Sequence, residues 1–262
     1  MPARKSLLLR RRNGFEWPLD PLQVAAWVLF VAVNVDLFVL YTPVATPRPL
    51  AIALSVFYVI PTVTVLMAAV RCQQSDPGVP VKQDEHAPTP TNAHFCNLCE
   101  VYVAPRTRHC YRCGKCISRY DHHCPWLNNC VGEANYGSFI ALVSSLLVLT
   151  SLHLALIMHA GGLLLVDDSA LMAQLAASGL GLSPLAYGIM LALSGLVMAV
   201  LWQQLSWLLC LHYLLHLEGC TTAEYFARVE RENQPPPRLC VIFCKRWMRL
   251  GKMSRRVSPR AL

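Results

Sequence analysis

The chain has 262 residues and a formal charge of +8, yet only 15% of its residues are charged while 55% are apolar. An average soluble protein carries about 25% charged residues, so this balance excludes a disordered chain or a basic nucleic-acid coat and speaks against an ordinary soluble domain. Twelve cysteines in a chain this long also exclude a short disulfide-stapled secreted module.

A bilayer core about 30 Å thick takes about 20 apolar residues of helix. Four stretches meet that length: 22–40, 50–70, 139–166 and 185–217. Only the first holds an ionisable acid, Asp36, which must either face other helices or sit near the far interface, where partial hydration is the preferred explanation. Arg4, Lys5, Arg10, Arg11 and Arg12 precede the first stretch. Arg71, Lys82, Arg106, Arg108, Arg112, Lys115 and Arg119 lie between the second and third, and a further basic run from Arg228 to Arg260 follows the fourth. The loop after the first stretch holds only Arg48, and the loop after the third holds Asp167 and Asp168 with no base. By the positive-inside rule both termini and the segment between stretches two and three are cytosolic. The first stretch is too long for a signal-peptide core and reads as a retained span.

In the fourth stretch Gly188 and Ala192, then Gly195 and Ala199, recur at a spacing that favours close helix packing. His153, His159, His212 and His216 lie in or near spans, where packing or hydrogen bonding is the expected role. Cys72 and Cys210 read as packing residues, whereas Cys220, Cys240 and Cys244 lie near the bilayer and could themselves be acylated. Pro235, Pro236 and Pro237 should hold the tail extended. No internal repeat is evident.

Seven of the cysteines fall between Cys96 and Cys130. The block runs Cys96-x2-Cys99, His109-Cys110-x2-Cys113-x2-Cys116, Asp121-His122-His123-Cys124 and Cys130. Two thiolates two residues apart can grip one ion from a tight turn, and tetrahedral structural zinc takes four ligands. Two ions therefore consume eight of the ten Cys and His groups and leave two over.

This block resembles the cysteine-rich domain of the DHHC protein S-acyltransferases, the palmitoyltransferases. Asp76-Pro77-Gly78 after the second span and Thr221-Thr222-Ala223-Glu224 after the fourth match two further family motifs in their usual places. Val103-Ala104-Pro105-Arg106 departs from the more basic stretch of many members, and Asn233 is a candidate for an Asn of the family's tail. The resemblance implies an all-α integral membrane protein with four transmembrane helices and a cytosolic two-zinc module between helices 2 and 3. The expected parts are a cytosolic segment 1–21, helices 1 and 2 in 22–70, the zinc domain 71–138, helices 3 and 4 in 139–217, and a cytosolic tail 218–262.

It also implies the ligand sets: Cys96, Cys99, His109 and Cys116 for one structural zinc, and Cys110, Cys113, His123 and Cys130 for the other. His122 and Cys124 are then unspent. A free thiol is only a few per cent thiolate at neutral pH, so it needs a base. His122 can take the Cys124 proton, with Asp121 holding the imidazole as the third member of a triad does.

The implied reaction moves a palmitoyl group from palmitoyl-CoA to Cys124 and then to cysteines of cytosolic or membrane proteins near the bilayer. The acyl chain would lie among the four spans, on an endoplasmic reticulum or Golgi membrane. Arg106, Arg108, Arg112, Lys115 and Arg119 are candidate partners of CoA phosphates, with topology signal as their other reading. Trp126 would sit against the acyl thioester or anchor at the interface. Asp76, Pro77, Gly78, Thr221, Thr222 and Glu224 would fix the zinc module against the helices. The competing reading is a membrane-tethered zinc scaffold with little enzymatic role. A RING-type ligase also uses eight ligands, but the spacing between Cys110 and Cys116 is too compact for it and leaves Cys124 without a role.

Overall fold

Apolar runs of this length fold as helices because a helix satisfies its own backbone hydrogen bonds. A computed structural model describes residues 10–41, 48–80, 91–177, 179 and 181–232. Arg4, Lys5, Lys82, Asn233, the three tail prolines, Cys240 and Cys244 lie outside the described residues.

The described chain is mostly helical. Helix α1 spans Pro21–Asp36. The Asp20 carboxylate accepts from the Leu22 N–H at 3.0 Å, and Pro21 opens the helix, where its missing N–H costs nothing. A π-helical turn, Leu37–Tyr41, ends it. Helix α2, Arg48–Gln74, continues through Pro61; the Thr62 and Thr64 hydroxyls bond back to the carbonyls of Tyr58 and Ile60. It runs past the expected end of the second span. Helices α3, Tyr136–Val166, and α5, Pro184–Leu217, are 31 and 34 residues long. Among the described residues, four helices are thus long and apolar enough to cross a membrane. Their outer faces leave Val28, Phe57 and Leu196 about two-thirds exposed, a side chemistry suited to lipid.

The connection between α3 and α5 is not a plain loop. Gly161 and Gly162 lie inside α3, and Asp168 starts a further helix α4, Asp168–Ala177, with Leu171 and Leu175 buried.

The chain divides into two compact units, Met1–Ser206 and Trp207–Leu262. In the first, α2 packs along α3, and the small residues of α5 face α3: a Cβ on Gly188 or Gly195 would meet Leu164 at 3.3 Å or Ile157 at 3.5 Å. Asp36 is held by partners rather than by water alone. Its Oδ2 accepts from Ser194 at 2.5 Å and faces His153 Nε2 at 3.1 Å. The network continues through Tyr58 to His153 Nδ1 (3.3 Å) and Tyr41 to Ser194 (3.2 Å), while Tyr187 donates to the Leu40 carbonyl at 2.8 Å. Paired in this way, a polar group between apolar helices avoids its desolvation penalty.

Among the described residues between α2 and α3 lie six three-residue strands in three antiparallel hairpins. They are β1 (His94–Cys96) with β2 (Val101–Val103), β3 (Arg108–Cys110) with β4 (Lys115–Ile117), and β5 (His122–Cys124) with β6 (Asn129–Val131). The all-helical expectation fails here. Strands this short carry no period for sequence to display, and the metal-ligand pattern dominates them.

In the second unit the end of α5 is followed by α6, Thr222–Glu232. Tyr225 is buried against Leu215, with Leu211, Cys220, Phe226 and Val229 around them.

Candidate active site and metal centres

The three hairpins are one unit repeated. Each follows the last at a constant fourteen-residue offset: Cys96↔Val101, Cys110↔Lys115 and Cys124↔Asn129 are equivalent pairs, and so are Phe95↔Tyr102, His109↔Cys116 and His123↔Cys130. The turns repeat too, with Glu100, Gly114 and Asn128 all at positive φ (56°, 63° and 52°). This corrects the expectation that the chain holds no internal repeat. The period could have been seen in Cys96, Cys110 and Cys124, but the surrounding residues differ in type, and a ligand pattern read as a single block hides it.

The repeat explains how ligands are shared out. Successive residues of a strand point to opposite faces, while residues directly opposite on two paired strands share one. His109 and Cys116 therefore stand side by side facing the first hairpin's turn, which supplies Cys96 and Cys99. Their neighbour Cys110 faces the other way and joins Cys113. The third hairpin then brings His123 and Cys130 to that second pair.

In each group all four donor atoms lie within 4.8 Å of one another. His109 Nδ1 is 3.2 Å from Cys99 Sγ, and His123 Nδ1 is 3.3 Å from Cys113 Sγ. Hydrogen bonds from Cys113 and then Cys130 hold the Cys110 thiol far below its ordinary range, while the same bonds to Cys110 push Cys113 and Cys130 up, so the three sulfurs share one negative charge. Three thiols and one imidazole at tetrahedral spacing fit structural zinc. The two clusters fit two such ions, which tie together hairpins with little apolar core of their own.

Cys124 lies outside both clusters. Its strand turns His122 and Cys124 to one face and His123 to the other. The three groups Asp121, His122 and Cys124 are 2%, 7% and 5% exposed. His122 Nδ1 is 2.6 Å from Asp121 Oδ2, and the imidazole is also hydrogen-bonded to the Cys124 side chain. The edge-on ring of Phe139, in the first turn of α3, packs against it at 5.2 Å. Burial works to lower the imidazole pKa; the hydrogen bonds of Asp121 and Cys124 and their negative charge outweigh it and raise the pKa to about 9. Such an arrangement can move a proton between sulfur and a strongly held imidazole.

Lys115 is a correction. It is 1% exposed, and its Nζ donates to Asp76 Oδ1 at 2.6 Å and to the Arg12 carbonyl at 2.9 Å. A lysine so enclosed, with two of its three N–H donors spent, does not reach out to a CoA phosphate. Arg106, Arg108 and Arg119 are exposed, Arg112 is 3.5 Å from Asp20, and Trp126 is 46% exposed.

Asp76 also accepts from the Gly78 N–H at 2.9 Å, turning the chain so that Val79 N–H donates to the Cys116 carbonyl. A Cβ on Gly78 would press on Lys115 and on Asp76 at 2.8 and 2.9 Å. Asp76-Pro77-Gly78 thus seats the second hairpin beneath α2. Thr221 and Glu224 form a reciprocal capping box: Thr221 Oγ1 accepts from the Glu224 N–H at 3.3 Å and Glu224 Oε2 accepts from the Thr221 N–H at 2.8 Å. Together they start α6, a role the sequence reading did not assign. Cys72 is buried and Cys210 exposed; burial and then Glu218 raise the pKa of the Cys220 thiol, making it a reluctant nucleophile.

Sequence reasoning missed two supports. Asn129 is fully buried, and its Nδ2 donates to the carbonyls of Cys72 and Ser75, both at 2.9 Å. Asn135 Nδ2 bonds the Ser75 hydroxyl at 3.0 Å and the Cys130 carbonyl at 2.9 Å. Between them they bolt the third hairpin to the end of α2. An asparagine pair near a cysteine run carries no signal of its own in sequence.

Two zinc-knuckle clusters, a thiol outside them, and four apolar helices together define a class of membrane-type cysteine-rich protein. The DHHC palmitoyltransferase family profile matches residues 89–229, more than half of the chain, which therefore belongs to that family. It is 51% identical over 57 residues to palmitoyltransferase ZDHHC18-A of Danio rerio, an alignment covering 22% of this chain and 12% of that protein. It is 49% identical over 57 residues to palmitoyltransferase ZDHHC18 of Homo sapiens, covering 22% and 15%. With palmitoyltransferase ZDHHC9 of Bos taurus it shares 46% over 56 residues, covering 21% and 15%. The matched stretches thus span less than a sixth of these relatives.

Proposed function

We propose that the chain is a protein S-acyltransferase that carries a palmitoyl group from palmitoyl-CoA to protein cysteines through acyl-Cys124. The observation that carries this reading is a single one. Of the cysteines in the block, Cys124 stands outside both metal clusters and is bonded to an imidazole that Asp121 holds.

In the first half-reaction the raised pKa of His122 holds the Cys124 proton on the imidazole, so that the sulfur is the anion that reacts. The sulfur attacks the thioester carbonyl, and the C–S bond to CoA breaks. The CoA thiolate leaves with the proton returned by the His122 imidazolium. In the second, a substrate cysteine gives its proton to His122 and attacks acyl-Cys124, whose thiolate is the leaving group. Thioester is exchanged for thioester, so no further energy source is needed. Asp121 keeps the imidazole in one tautomer and stabilises its cationic form. Zinc touches neither substrate: Cys96, Cys99, His109 and Cys116 hold one ion, and Cys110, Cys113, His123 and Cys130 the other. The zinc-bound nitrogen of His123 cannot act as a base.

In this reading α1, α2, α3 and α5 cross the bilayer of the endoplasmic reticulum or Golgi, with both termini and the zinc module cytosolic, as the basic residues favour. The acyl chain lies among the spans, where each buried CH₂ gains about 0.8 kcal/mol. Arg106, Arg108, Arg112 and Arg119 are the candidates to meet CoA phosphates, and Trp126 to flank the thioester. Substrates are cytosolic or membrane proteins with cysteines near the bilayer. The test is labelling with radioactive palmitoyl-CoA. A Cys124→Ala variant should take up no hydroxylamine-sensitive label; undiminished labelling would overturn the assignment.

A further inference from the structure

The fourteen-residue repeat raises a question about the third hairpin. The turns after Cys96 and Cys110 are each pinned by a second thiol, Cys99 or Cys113, and by a metal-binding cluster. In both, the backbone N–H four residues on, Glu100 or Gly114, donates to the cysteine carbonyl at 2.8 Å. The turn after Cys124 has Leu127 in the place of the second thiol. It closes one residue earlier, with Leu127 N–H donating to the Cys124 carbonyl at 3.2 Å. No cluster of the described residues reaches it from a fourth hairpin.

Something else holds it. Asn128, at the left-handed position of the turn, donates from Nδ2 to the carbonyls of Gly14 and Pro18, both at 3.2 Å. Its own carbonyl lies 3.5 Å from the Arg11 guanidinium. The segment carrying these partners is strapped down along its length: Arg11 N–H donates to the Cys113 carbonyl at 3.0 Å and Gly14 N–H to the Gln73 carbonyl at 2.6 Å. Gln23 Nε2 donates to the Gly14 carbonyl at 2.9 Å. A Cβ on Gly14 would collide with the Leu127 carbonyl, so strap and turn are in backbone contact. From the other side Asn129, directly across the strand pair from Cys124, is bonded to the last turn of α2.

We infer that the N-terminal strap around Arg11, Gly14 and Pro18, gripping Asn128, takes the place of the metal in the third knuckle. It fixes the Cys124 turn by hydrogen bonds and leaves the sulfur outside any metal cluster. Gly14 and Asn128 are positioning residues: they touch neither substrate nor the reacting atoms. This rests on the acyltransferase reading for its consequence, but the restraint on the thiol stands on geometry alone.

The test uses the full chain in lipid nanodiscs with Asn128→Gly, which keeps the left-handed turn and removes the donors, and Gly14→Ala, which leaves the hairpin's own residues intact. Bound zinc, alkylation of Cys124 by iodoacetamide, and acyl-enzyme formation from palmitoyl-CoA are each measured. Both variants should keep two zincs. A released thiol loses its burial, so alkylation should quicken about threefold or more, while acylation, which needs the carbonyl presented at one angle, should slow about tenfold or more. These opposite movements are not what a general loss of thiol reactivity gives. Unchanged alkylation, or loss of zinc from both variants, overturns the inference. If the unaltered chain forms no acyl-enzyme, the transferase reading fails, and the alkylation rates still decide the strap.

Discussion

His122 and His123 are consecutive residues with opposite commitments. His123 Nδ1 points into a cluster of three thiols, 3.3 Å from Cys113 Sγ, whereas His122 Nδ1 is 2.6 Å from the Asp121 carboxylate. The alternation of strand β5 separates them, so one short strand joins a face of metal-ligating type to the face that carries Asp121-bound His122 and Cys124. Exchange of either for alanine should therefore fail differently. His123→Ala should lower bound zinc from two to one, and His122→Ala should keep two zincs while slowing acyl-enzyme formation by about a hundredfold or more. Zinc assay and intact mass on the same samples separate the two.

The Asp121–His122 pair also predicts a pH dependence of stability. The folded state raises the His122 pKa from 6.5 to about 9 against the lowering effect of burial. A raised pKa contributes stability that is complete below the unfolded value and is lost as pH rises through the folded one. The contribution should fade between about pH 6.5 and 9. Asp121→Asn should flatten this part of the profile, seen as a loss of about 2–4 °C in the midpoint at pH 6.5 that shrinks at pH 9.5.

Lys115 and Asp76 predict an asymmetry. Lys115 is 1% exposed while the Asp76 side chain is 41% exposed. Asp76→Ala leaves a buried ammonium with only a carbonyl partner and should cost about 2–3 kcal/mol, the low side for breaking such a pair because Asp76 is partly hydrated. Lys115→Met with Asp76→Leu removes both charges and should recover most of that loss. Thermal unfolding of the three variants checks it.

Leu127 stands where Cys99 and Cys113 stand in the other hairpins. Leu127→Cys rebuilds a two-thiol knuckle on Cys124. Under excess zinc the second thiol should draw the ion onto Cys124, and the variant should lose most of its acyl-enzyme formation. Retention of normal acylation would show that the missing thiol is of no consequence to Cys124.

The four long apolar helices were legible because bilayer thickness sets a length that apolar composition either meets or does not. The ligand pattern from Cys96 to Cys130 was equally open, since two-residue steps between thiols are a spacing few other structures need. The hairpins were not legible: three residues per strand give no period, and their register is set by ligands meeting across strands. Lys115 misled because a basic residue in a run of basic residues looks the same in sequence whether it is buried or exposed. Asp36 misled in the opposite direction. Its partners His153 and Ser194 lie on other helices, far along the chain, and their proximity is a product of packing. The reciprocal Thr221 and Glu224 cap was present as a capping-box spacing, hidden by reading it only as a family motif.

The most direct test of the central claim is peptide mapping by mass spectrometry of the full chain after brief exposure to palmitoyl-CoA, beside native mass measurement of bound zinc. The account predicts two zincs per chain and one hydroxylamine-labile palmitoyl group, carried by the peptide that contains Cys124. Palmitate found first on Cys110, Cys113 or another cluster cysteine, with Cys124 unmodified, would contradict it.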